Sequence, residues 1–176
     1  MRRTSFAGMH CSIAQTLDVV GEWWTPLIVR DVYMGLHRFE DLAENLEISR
    51  NLLTRRLTDL VERGVLERRK YQDRPVRHSY HLTEAGTALV PALLMLMGWG
   101  DRWATPPGGP PVRLVHRDCG TQFTPTVSCS CCGEPVDPAR VDLFPGPGAA
   151  DGPGTHVLHR REQERSGATE QTDRRS

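Results

Sequence analysis

The sequence predicts a mainly helical α+β fold, in which a run of helices is followed by a β-hairpin and one more helix. Three observations support this prediction. Apolar residues recur at helical spacing over 12–63 and again over 84–103. Between these regions, the segments 65–72 and 76–82 have the composition of strands and flank Asp73-Arg74-Pro75, a turn sequence. Capping residues, glycine and proline then divide the helical regions into separate helices.

The first three helices are predicted from their start signals and apolar spacing. Ser12 caps a first helix, whose apolar residues follow helical spacing: Ile13, Leu17, Val20 and Trp24. Thr25, as a cap followed by Pro26, starts a second helix that is expected to run to about Tyr33 and to stop at Gly35. A short third helix is predicted from four apolar residues: Phe39, Leu42, Ala43 and Leu46.

The fourth helix and the last helix have clear caps as well. Ser49 caps a helix from Arg50 to Arg63, which Gly64 closes. Thr83 caps a helix that reaches Trp103, with a kink expected at Pro91. Four helices, a β-hairpin and a further helix follow the order of a winged helix-turn-helix domain, whose third and fourth helices form the helix-turn-helix.

Composition divides the chain into four parts. The winged helix-turn-helix domain, with its terminal dimerisation helices, is predicted over 10–103. Residues 104–111, ATPPGGPP, form a linker because proline and glycine cannot continue the helix. Residues 112–144 contain one histidine and four cysteines and predict a small zinc-ribbon-like module. Residues 145–176 contain few large apolar side chains and predict a disordered tail.

Charge is concentrated in the middle of a chain whose net charge is zero. Residues 50–77 contain nine basic and four acidic side chains, which is what a local site for a polyanion needs. A solvated charged face is the alternative explanation. The N-terminus lacks the apolar stretch of a signal peptide, and no segment has the roughly 18 apolar residues of a membrane span. We therefore expect a cytoplasmic protein with reduced thiols and no membrane partner.

The fourth helix has the features of a DNA-recognition helix. Its core stripe is formed by Leu53, Leu57, Leu60 and Val61, and its outward face by Asn51, Thr54, Arg55 and Thr58. Arginine and asparagine can form paired hydrogen bonds with guanine and adenine edges. Ser49 and Arg50 lie at the helix N-terminus, where N–H groups favour a phosphate. The alternative is an ordinary amphipathic surface helix.

The hairpin after this helix is rich in basic side chains, and the predicted DNA contacts there are Arg68, Lys70, Arg74 and Arg77. Exposed basic residues at a hairpin tip suit the minor groove or the flanking phosphates. Charged residues also protect edge strands against unwanted pairing, and Arg68 and Lys70 suit either purpose. No catalytic Ser/His/Asp set, phosphate-binding glycine loop or pair of carboxylates has a recognisable spacing, so the sequence does not predict an enzyme.

The region 10–103 resembles the HxlR family of bacterial transcriptional regulators in consecutive motifs. These are CSIA at 11–14, LDVVG at 17–21, Trp24-Thr25, Leu27-Ile28, RFEDL at 38–42, ISRNLLTRRL at 48–57, Leu60, Gly64 and YHLTEAG at 80–86. The resemblance implies a dimeric winged-helix repressor or activator, often of redox or detoxification genes. The family often has Cys-Pro where this chain has Cys11-Ser12, and a lysine where it has Trp23. Neither departure touches the recognition helix.

A homodimer is expected because the terminal helices carry more apolar surface than one subunit of this size can bury. Trp23 and Trp24 add to this apolar surface. The last helix is apolar on more than one face, which is formed by Leu89, Leu93, Leu94, Leu96, Met97, Trp99 and Trp103. Packing within the subunit is the alternative. The resembling family builds its two-fold interface from these helices, and a dimer places two recognition helices on an inverted-repeat operator in double-stranded DNA.

Four residues after the linker are predicted to bind a structural Zn²⁺ ion: His116, Cys119, Cys129 and Cys132. Each pair has the spacing x2 and a following glycine, as in the two knuckles of a zinc ribbon, and four protein ligands close the coordination sphere. By spacing alone Cys131 can replace Cys132. Reduced cysteines without metal and a thiol oxidoreductase are the alternatives, although the βαβ context of the oxidoreductase is absent.

Cys11 is a candidate thiol switch. It directly precedes the first predicted helix, whose N–H groups and dipole favour a thiolate, and a cysteine at this position is a sensor in some members of the resembling family. A small packing residue at the dimer interface is the alternative. The sequence thus predicts a sequence-specific, homodimeric DNA-binding regulator that responds to thiol modification. The second hypothesis is a zinc-binding protein-interaction module whose helix-turn-helix serves dimerisation more than DNA reading.

Overall fold

The computed structural model describes residues 5–158 and 160–161. The helices are α1 (Ser12–Val20), α2 (Thr25–Tyr33), α3 (Phe39–Leu46), α4 (Arg50–Glu62), α5 (Glu84–Ala88) and α6 (Val90–Trp103), and the strands are β1 (Leu66–Asp73) and β2 (Val76–Leu82). A short 3-10 helix follows at Pro138–Arg140. The predicted α+β fold, with a hairpin between helices, is confirmed. Within the described ranges, no helix is both long and apolar enough to cross a bilayer.

The chain divides into two compact units, one of Met1–Trp23 with Leu143–Ser176 and one of Trp24–Asp142. The core of the second unit is aliphatic and comes from its helices, from the turn before α4 and from the start of the hairpin: Ile28, Val29, Val32, Leu42, Leu46, Ile48, Leu53, Leu57, Leu60, Val65, Leu66 and Val90. Full burial of each such side chain contributes about 1.5 to 3 kcal/mol. The predicted core stripe of α4 is confirmed for Leu53, Leu57 and Leu60, whereas Val61 is only half-buried.

A buried carboxylate joins α2 to α3. Asp31 is 1% exposed. Its Oδ1 accepts a hydrogen bond of 2.8 Å from Nε of Arg30, and its Oδ2 accepts one of 2.7 Å from Nδ2 of Asn45. A buried charge is tolerated when it is paired and hydrogen-bonded on both oxygens. These two partners therefore fix Asp31 between the helices.

The hairpin is antiparallel, and its strands are joined by Arg74-Pro75. Leu66 lies opposite Leu82 at the open end, and a bulge falls between Lys70 and Gln72. The segment before α3 runs beside β2: Arg38 forms a β-bridge with Ser79, and the N–H of Tyr80 donates to the carbonyl of His37 at 2.8 Å. The start of α3 is thus attached to the hairpin.

Two of the predicted caps are wrong. Cys11, rather than Ser12, occupies the N-cap of α1, and α1 ends at Val20, so Trp24 lies outside it. Gly21 is the C-cap of this helix, and a side chain does not fit there because a Cβ would lie 2.3 Å from the carbonyl oxygen of Leu17. Thr25 is the first residue of α2 and is buried, with Trp24 in the cap position.

The caps predicted further along the chain are confirmed. Oγ of Ser49 accepts from the N–H of Leu52 at 3.4 Å, and Oγ1 of Thr83 accepts from the N–H of Gly86 at 3.1 Å. Gly86 is required there, since a Cβ would lie 2.2 Å from the carbonyl oxygen of Val65.

The helix predicted from residue 84 to Trp103 is divided rather than kinked. The chain forms α5 and then α6, and Leu89 stands between them as the cap of both. Pro91 lies in the first turn of α6, where its missing N–H removes no helical hydrogen bond. A continuous helix would have needed that N–H to bond the carbonyl of Thr87.

The first unit joins α1 to part of the predicted tail. Gln15 holds the preceding segment, because its Nε2 donates to the carbonyl of Met9 at 2.7 Å. In the predicted tail, the N–H of Thr155 donates to the carbonyl of Gly152 at 3.0 Å, and a Cβ at Gly154 would lie 3.2 Å from the sulfur of Met9. The predicted disorder at 159 and 162–176 lies outside the described residues.

Candidate nucleic-acid interface

The turn between α3 and α4 sets the direction of the predicted recognition helix. Glu47 ends α3 in the left-handed conformation, with φ of 49°. The next residue, Ile48, is buried in the core, and Ser49 then caps α4. One side of this turn is thus anchored in the core, and the other is capped at the start of α4.

The outward face of α4 consists of the residues predicted from the sequence. Asn51, Thr54, Arg55 and Thr58 are all exposed. Oγ1 of Thr54 is turned back onto its own helix and donates to the carbonyl of Arg50 at 2.8 Å. Among the described residues, Arg55 has no hydrogen-bond or ion-pair partner, so its five N–H donors are available to a ligand.

The basic residue at the start of α4 is already engaged. Nη2 of Arg50 lies 3.0 Å from the carboxylate of Glu40, and its guanidinium lies 5.0 Å from the centre of the Phe39 ring. Ser49, the other residue predicted to contact phosphate at this helix end, is exposed. A phosphate at the N-terminus of α4 therefore competes with Glu40 for Arg50.

Four of the five basic side chains of the hairpin fall into two groups. Lys70 is paired with Asp73 at 2.6 Å, and Nε of Arg69 donates to Glu67 at 2.8 Å. Arg74 and Arg77, nearer the tip, are exposed, and neither guanidinium has a hydrogen-bond or ion-pair partner in the described part of the chain. Two cationic side chains without a partner thus lie at the tip of the hairpin.

Arg68 belongs to neither group. It lies opposite Tyr80 in the hairpin register. Burial raises the pKa of Tyr80, and the positive charge of Arg68 opposes this effect. Its side chain is exposed and remains accessible to a phosphate.

Sequence reasoning missed the contacts that join this hairpin to the segment before α3. The rings of His37 and His81 stack with centroids 4.3 Å apart, and Nδ1 of His37 lies 3.0 Å from the carbonyl oxygen of Tyr80. Partial burial lowers the pKa of His81, and the nearby His37 and Arg69 lower it further. The guanidinium of Arg38 lies 5.3 Å from the centre of the Tyr71 ring, which adds an exposed cation beside the hairpin. No local pattern indicates these contacts, because the partners are far apart in the sequence.

The predicted thiol sites lie in different units. Cys11 is half-buried in the first unit, and its carbonyl accepts the first helical hydrogen bond, from the N–H of Gln15, at 2.9 Å. In the second unit, the structure brings His116 beside Cys119, with Nδ1 and Sγ 3.4 Å apart.

The structure does not bring the two predicted ligand pairs to one point. Within the described residues, no group of three His, Cys, Asp or Glu side chains is arranged to hold a metal ion. Hydrogen bonds from Thr121 lower the pKa of Cys119, and hydrogen bonds from Cys132 and Cys131 lower that of Cys129. The predicted zinc ion therefore stays a prediction.

Comparison with known proteins agrees with this architecture. The family model of the HxlR-like helix-turn-helix matches residues 19–107. An uncharacterised HTH-type transcriptional regulator of Mycobacterium tuberculosis, MT3179, is 45% identical over 137 residues, which cover 78% of this chain and 87% of the relative.

Solved structures give the same result. The crystal structure of PA1607, named as a transcription factor, has a TM-score of 0.71 and 34% identity, and the match covers 80% of this chain and 99% of that chain. The redox regulator HypR in its reduced form has a TM-score of 0.50 and 30% identity, over 52% of this chain and 92% of that chain. The chain therefore belongs to the HxlR-like helix-turn-helix family of transcriptional regulators.

Proposed function

We propose that the protein is a sequence-specific regulator that binds an inverted-repeat operator in double-stranded DNA as a homodimer. The observation that carries this proposal is the exposed face of α4, where Arg55 has no partner within the described residues. A free guanidinium beside small polar side chains suits the major groove, which admits an α-helix and presents paired acceptors on guanine. Asn51, one turn before Arg55, supplies the amide group that suits adenine.

The hairpin completes the proposed interface by holding the DNA backbone. Arg74 and Arg77 at its tip would contact flanking phosphates or the minor groove, which are contacts that position the protein without reading the sequence. Lys70 is paired with Asp73, so its contribution to phosphate binding would be smaller than that of Arg74. Arg55 is therefore expected to contribute to sequence specificity, and Arg74 and Arg77 to DNA affinity.

The homodimer is proposed from apolar side chains that the subunit leaves in water. On α6, Leu96, Trp99 and Trp103 are each more than 60% exposed and share one face, at spacings of three and four residues. Only Val90 is buried in this helix. On α1, Ile13 and Leu17 form a second exposed apolar stripe. Stripes of this kind mark protein interfaces, and a second copy of the chain offers the same helices in return.

A thiol response is proposed for Cys11. The redox regulator HypR resembles 52% of this chain, and Cys11 stands at the N-cap of α1, next to the exposed apolar stripe of that helix. Oxidation or alkylation there would change the packing of a helix that the proposed dimer uses. Such a change would alter the separation of the two recognition helices and weaken operator binding.

A selection of binding sites from random duplex DNA, at low and at moderate salt, tests the proposed function. We expect an inverted repeat whose half-sites are centred about one helical turn, roughly 34 Å, apart. Affinity should fall steeply with salt, since each phosphate contact releases counterions. Enrichment of no sequence, with binding too weak to measure at low salt, would instead favour a protein-interaction module that uses the helix-turn-helix for dimerisation.

A further inference from the structure

Residues 112–136 contain two turns with the same backbone structure, 13 residues apart. In the first, the N–H of Gly120 donates to the carbonyl of His116 at 2.8 Å; in the second, the N–H of Gly133 donates to the carbonyl of Cys129 at 2.8 Å. The backbone N–H groups of the first residues also have matching acceptors. The N–H of His116 donates to the carbonyl of Thr121 at 3.0 Å, and the N–H of Cys129 donates to the carbonyl of Glu134 at 2.8 Å. His116 and Cys129 therefore occupy equivalent positions.

The equivalence extends into the flanking residues. Val115 forms an antiparallel bridge with Gln122, and Ser128 forms the matching bridge with Pro135. Gly120 and Gly133 have φ values of +64° and +76°, a conformation that favours glycine. In each turn this glycine follows directly after a cysteine, so Cys119 and Cys132 are the second pair of equivalent positions.

The first turn holds its histidine and cysteine at a separation that suits a metal ion. Nδ1 of His116 lies 3.4 Å from Sγ of Cys119. Tetrahedral ligands on zinc, with bonds of about 2.3 Å to sulfur and 2.0 to 2.1 Å to nitrogen, are about 3.6 Å apart. On the other side of the ring, Nε2 of His116 lies 3.7 Å from a carboxylate oxygen of Asp118. Zinc-binding histidines commonly have such a carboxylate partner, which orients the ring.

The second turn distinguishes Cys132 from Cys131. Cys132 directly precedes Gly133, whose N–H donates to the carbonyl of Cys129 at 2.8 Å, just as Cys119 precedes Gly120 in the first turn. Cys131 is exposed, and no equivalent cysteine exists in the first turn, where Asp118 occupies the position.

These turns have no hydrophobic core of their own. No side chain from 112 to 142 is buried, and the apolar residues Leu114 and Val136 are only half-buried. Two short hairpins of this size cannot be held together by so little apolar burial. A metal ion that binds both turns would supply the missing stabilisation, because its binding energy becomes folding energy.

We propose that the two turns close on one Zn²⁺ ion, which is bound by Nδ1 of His116 and by the thiolates of Cys119, Cys129 and Cys132. Three soft sulfur ligands and one imidazole select zinc among the common divalent ions. Binding releases the three thiol protons to solvent, and four protein ligands leave no open position for catalysis. The two ligand pairs, which lie apart in the structure described above, come together around the ion.

Metal analysis of the full chain, purified without chelator, tests the site. We expect one zinc per chain in the wild type and in Cys131→Ser, which is the matched control in the same turn. The double variant Cys119→Ser with Cys129→Ser should retain less than about a tenth of that zinc, since it loses half of the ligands. Metal-free wild type that does not take up added Zn²⁺, or equal zinc in the double variant, would overturn the proposal.

Cobalt(II) provides a second measurement that does not depend on how the variants fold. Reconstitution of the metal-stripped wild type with Co²⁺ should give the strong visible absorption of tetrahedral cobalt and a sulfur-to-metal charge-transfer band. A weak octahedral spectrum would overturn the proposed ligand set. Operator binding by the wild type separates this site from the proposed function. Wild type that binds zinc but no DNA would contradict only the regulator, and wild type that binds DNA but takes up no zinc would contradict only the metal site.

Discussion

Arg50 and Glu40 form an ion pair, 3.0 Å long, between the first turn of α4 and the first turn of α3. Both side chains are well exposed, so the pair is weak in water, about 0.2 to 1 kcal/mol. Its effect lies in its position, because it holds a carboxylate where the proposed operator phosphate would bind. The pair therefore lowers the affinity of Arg50 for a DNA phosphate.

We expect Glu40→Gln to tighten binding to every DNA sequence, by about two- to fivefold, since it removes a competing negative charge. The dependence of log affinity on log salt should become steeper by up to about 0.9 if Arg50 gains a full phosphate contact. Fluorescence anisotropy with selected and unrelated duplexes measures both effects. Glu44→Gln is the matched control, because it removes the same charge from an exposed position of α3. Equal affinities for the two variants would contradict the role of Glu40.

Arg55 and Arg74 should separate specificity from affinity. Arg55→Ala is expected to weaken operator binding by about 1 to 3 kcal/mol and to relax the preference at particular base pairs. Arg74→Ala should weaken selected and unrelated duplexes alike and reduce the salt slope by about 0.9. Competition binding with single-base operator variants distinguishes the two patterns. If both variants bind the operator as the wild type does, the placement of α4 and the hairpin on DNA is wrong.

The apolar stripe of α6 should determine the oligomeric state. Trp99→Lys with Trp103→Lys places two charges in the proposed interface, where an unpaired charge is strongly unfavourable, and should convert the dimer to a monomer at micromolar concentration. Sedimentation velocity measures this change, and circular dichroism checks that the subunit stays folded. Met34→Lys, at an exposed apolar position after α2, is the control. A dimer that persists in the double variant would exclude this stripe from the interface.

Cys11 should account for any thiol response. Treatment with a mild electrophile or peroxide is expected to reduce operator binding by the wild type and to leave Cys11→Ser unaffected, because the serine cannot be alkylated or oxidised to a disulfide. Cys131→Ser, which removes an exposed cysteine elsewhere, should respond as the wild type does. An equal loss of binding in Cys11→Ser would leave Cys11 as a packing residue.

The buried carboxylate of Asp31 predicts a stability effect remote from DNA. Asn45→Ala removes the 2.7 Å hydrogen bond to Oδ2 and should lower the free energy of unfolding by about 1 to 3 kcal/mol. Urea unfolding at fixed protein concentration measures the difference, since a dimer's stability depends on concentration. Glu44→Ala, the neighbouring exposed position, should change stability by less than about 0.5 kcal/mol. Unfolding of Asn45→Ala at the wild-type urea concentration would contradict the structural role.

The sequence predicted those parts of the fold that depend on local signals. Ser49 and Thr83 cap helices because a side-chain oxygen reaches an N–H two or three residues ahead, which a sequence pattern captures. Ser12 is also a good capping residue, but α1 starts one residue earlier than predicted, so Cys11 occupies the N-cap position. Pro91 indicates a disturbance in the last helix, but whether it bends a helix or starts a new one depends on how the chain packs around Leu89.

The outward face of α4 was predictable because it is the complement of a periodic core stripe. The tertiary contacts of nearby basic residues were not predictable. Glu40 pairs with Arg50, and His81 stacks on His37, only because the tertiary fold brings separate segments together. The equivalence of the two cysteine turns was partly visible, since the Cys-Gly steps repeat, but the matching hydrogen bonds require coordinates.

The attachment of the segment before α3 to β2 has a further consequence for DNA binding. His37 and Arg38 are hydrogen-bonded or bridged to the hairpin on one side and lead directly into α3 on the other. Hairpin and helix-turn-helix are therefore expected to meet DNA as a preorganised surface, with little conformational entropy left to lose on association. Each subunit would then bind only where the distance between the major groove and the flanking phosphates matches the fixed distance between α4 and the hairpin tip. At a half-site with a different distance, the DNA must deform to be bound.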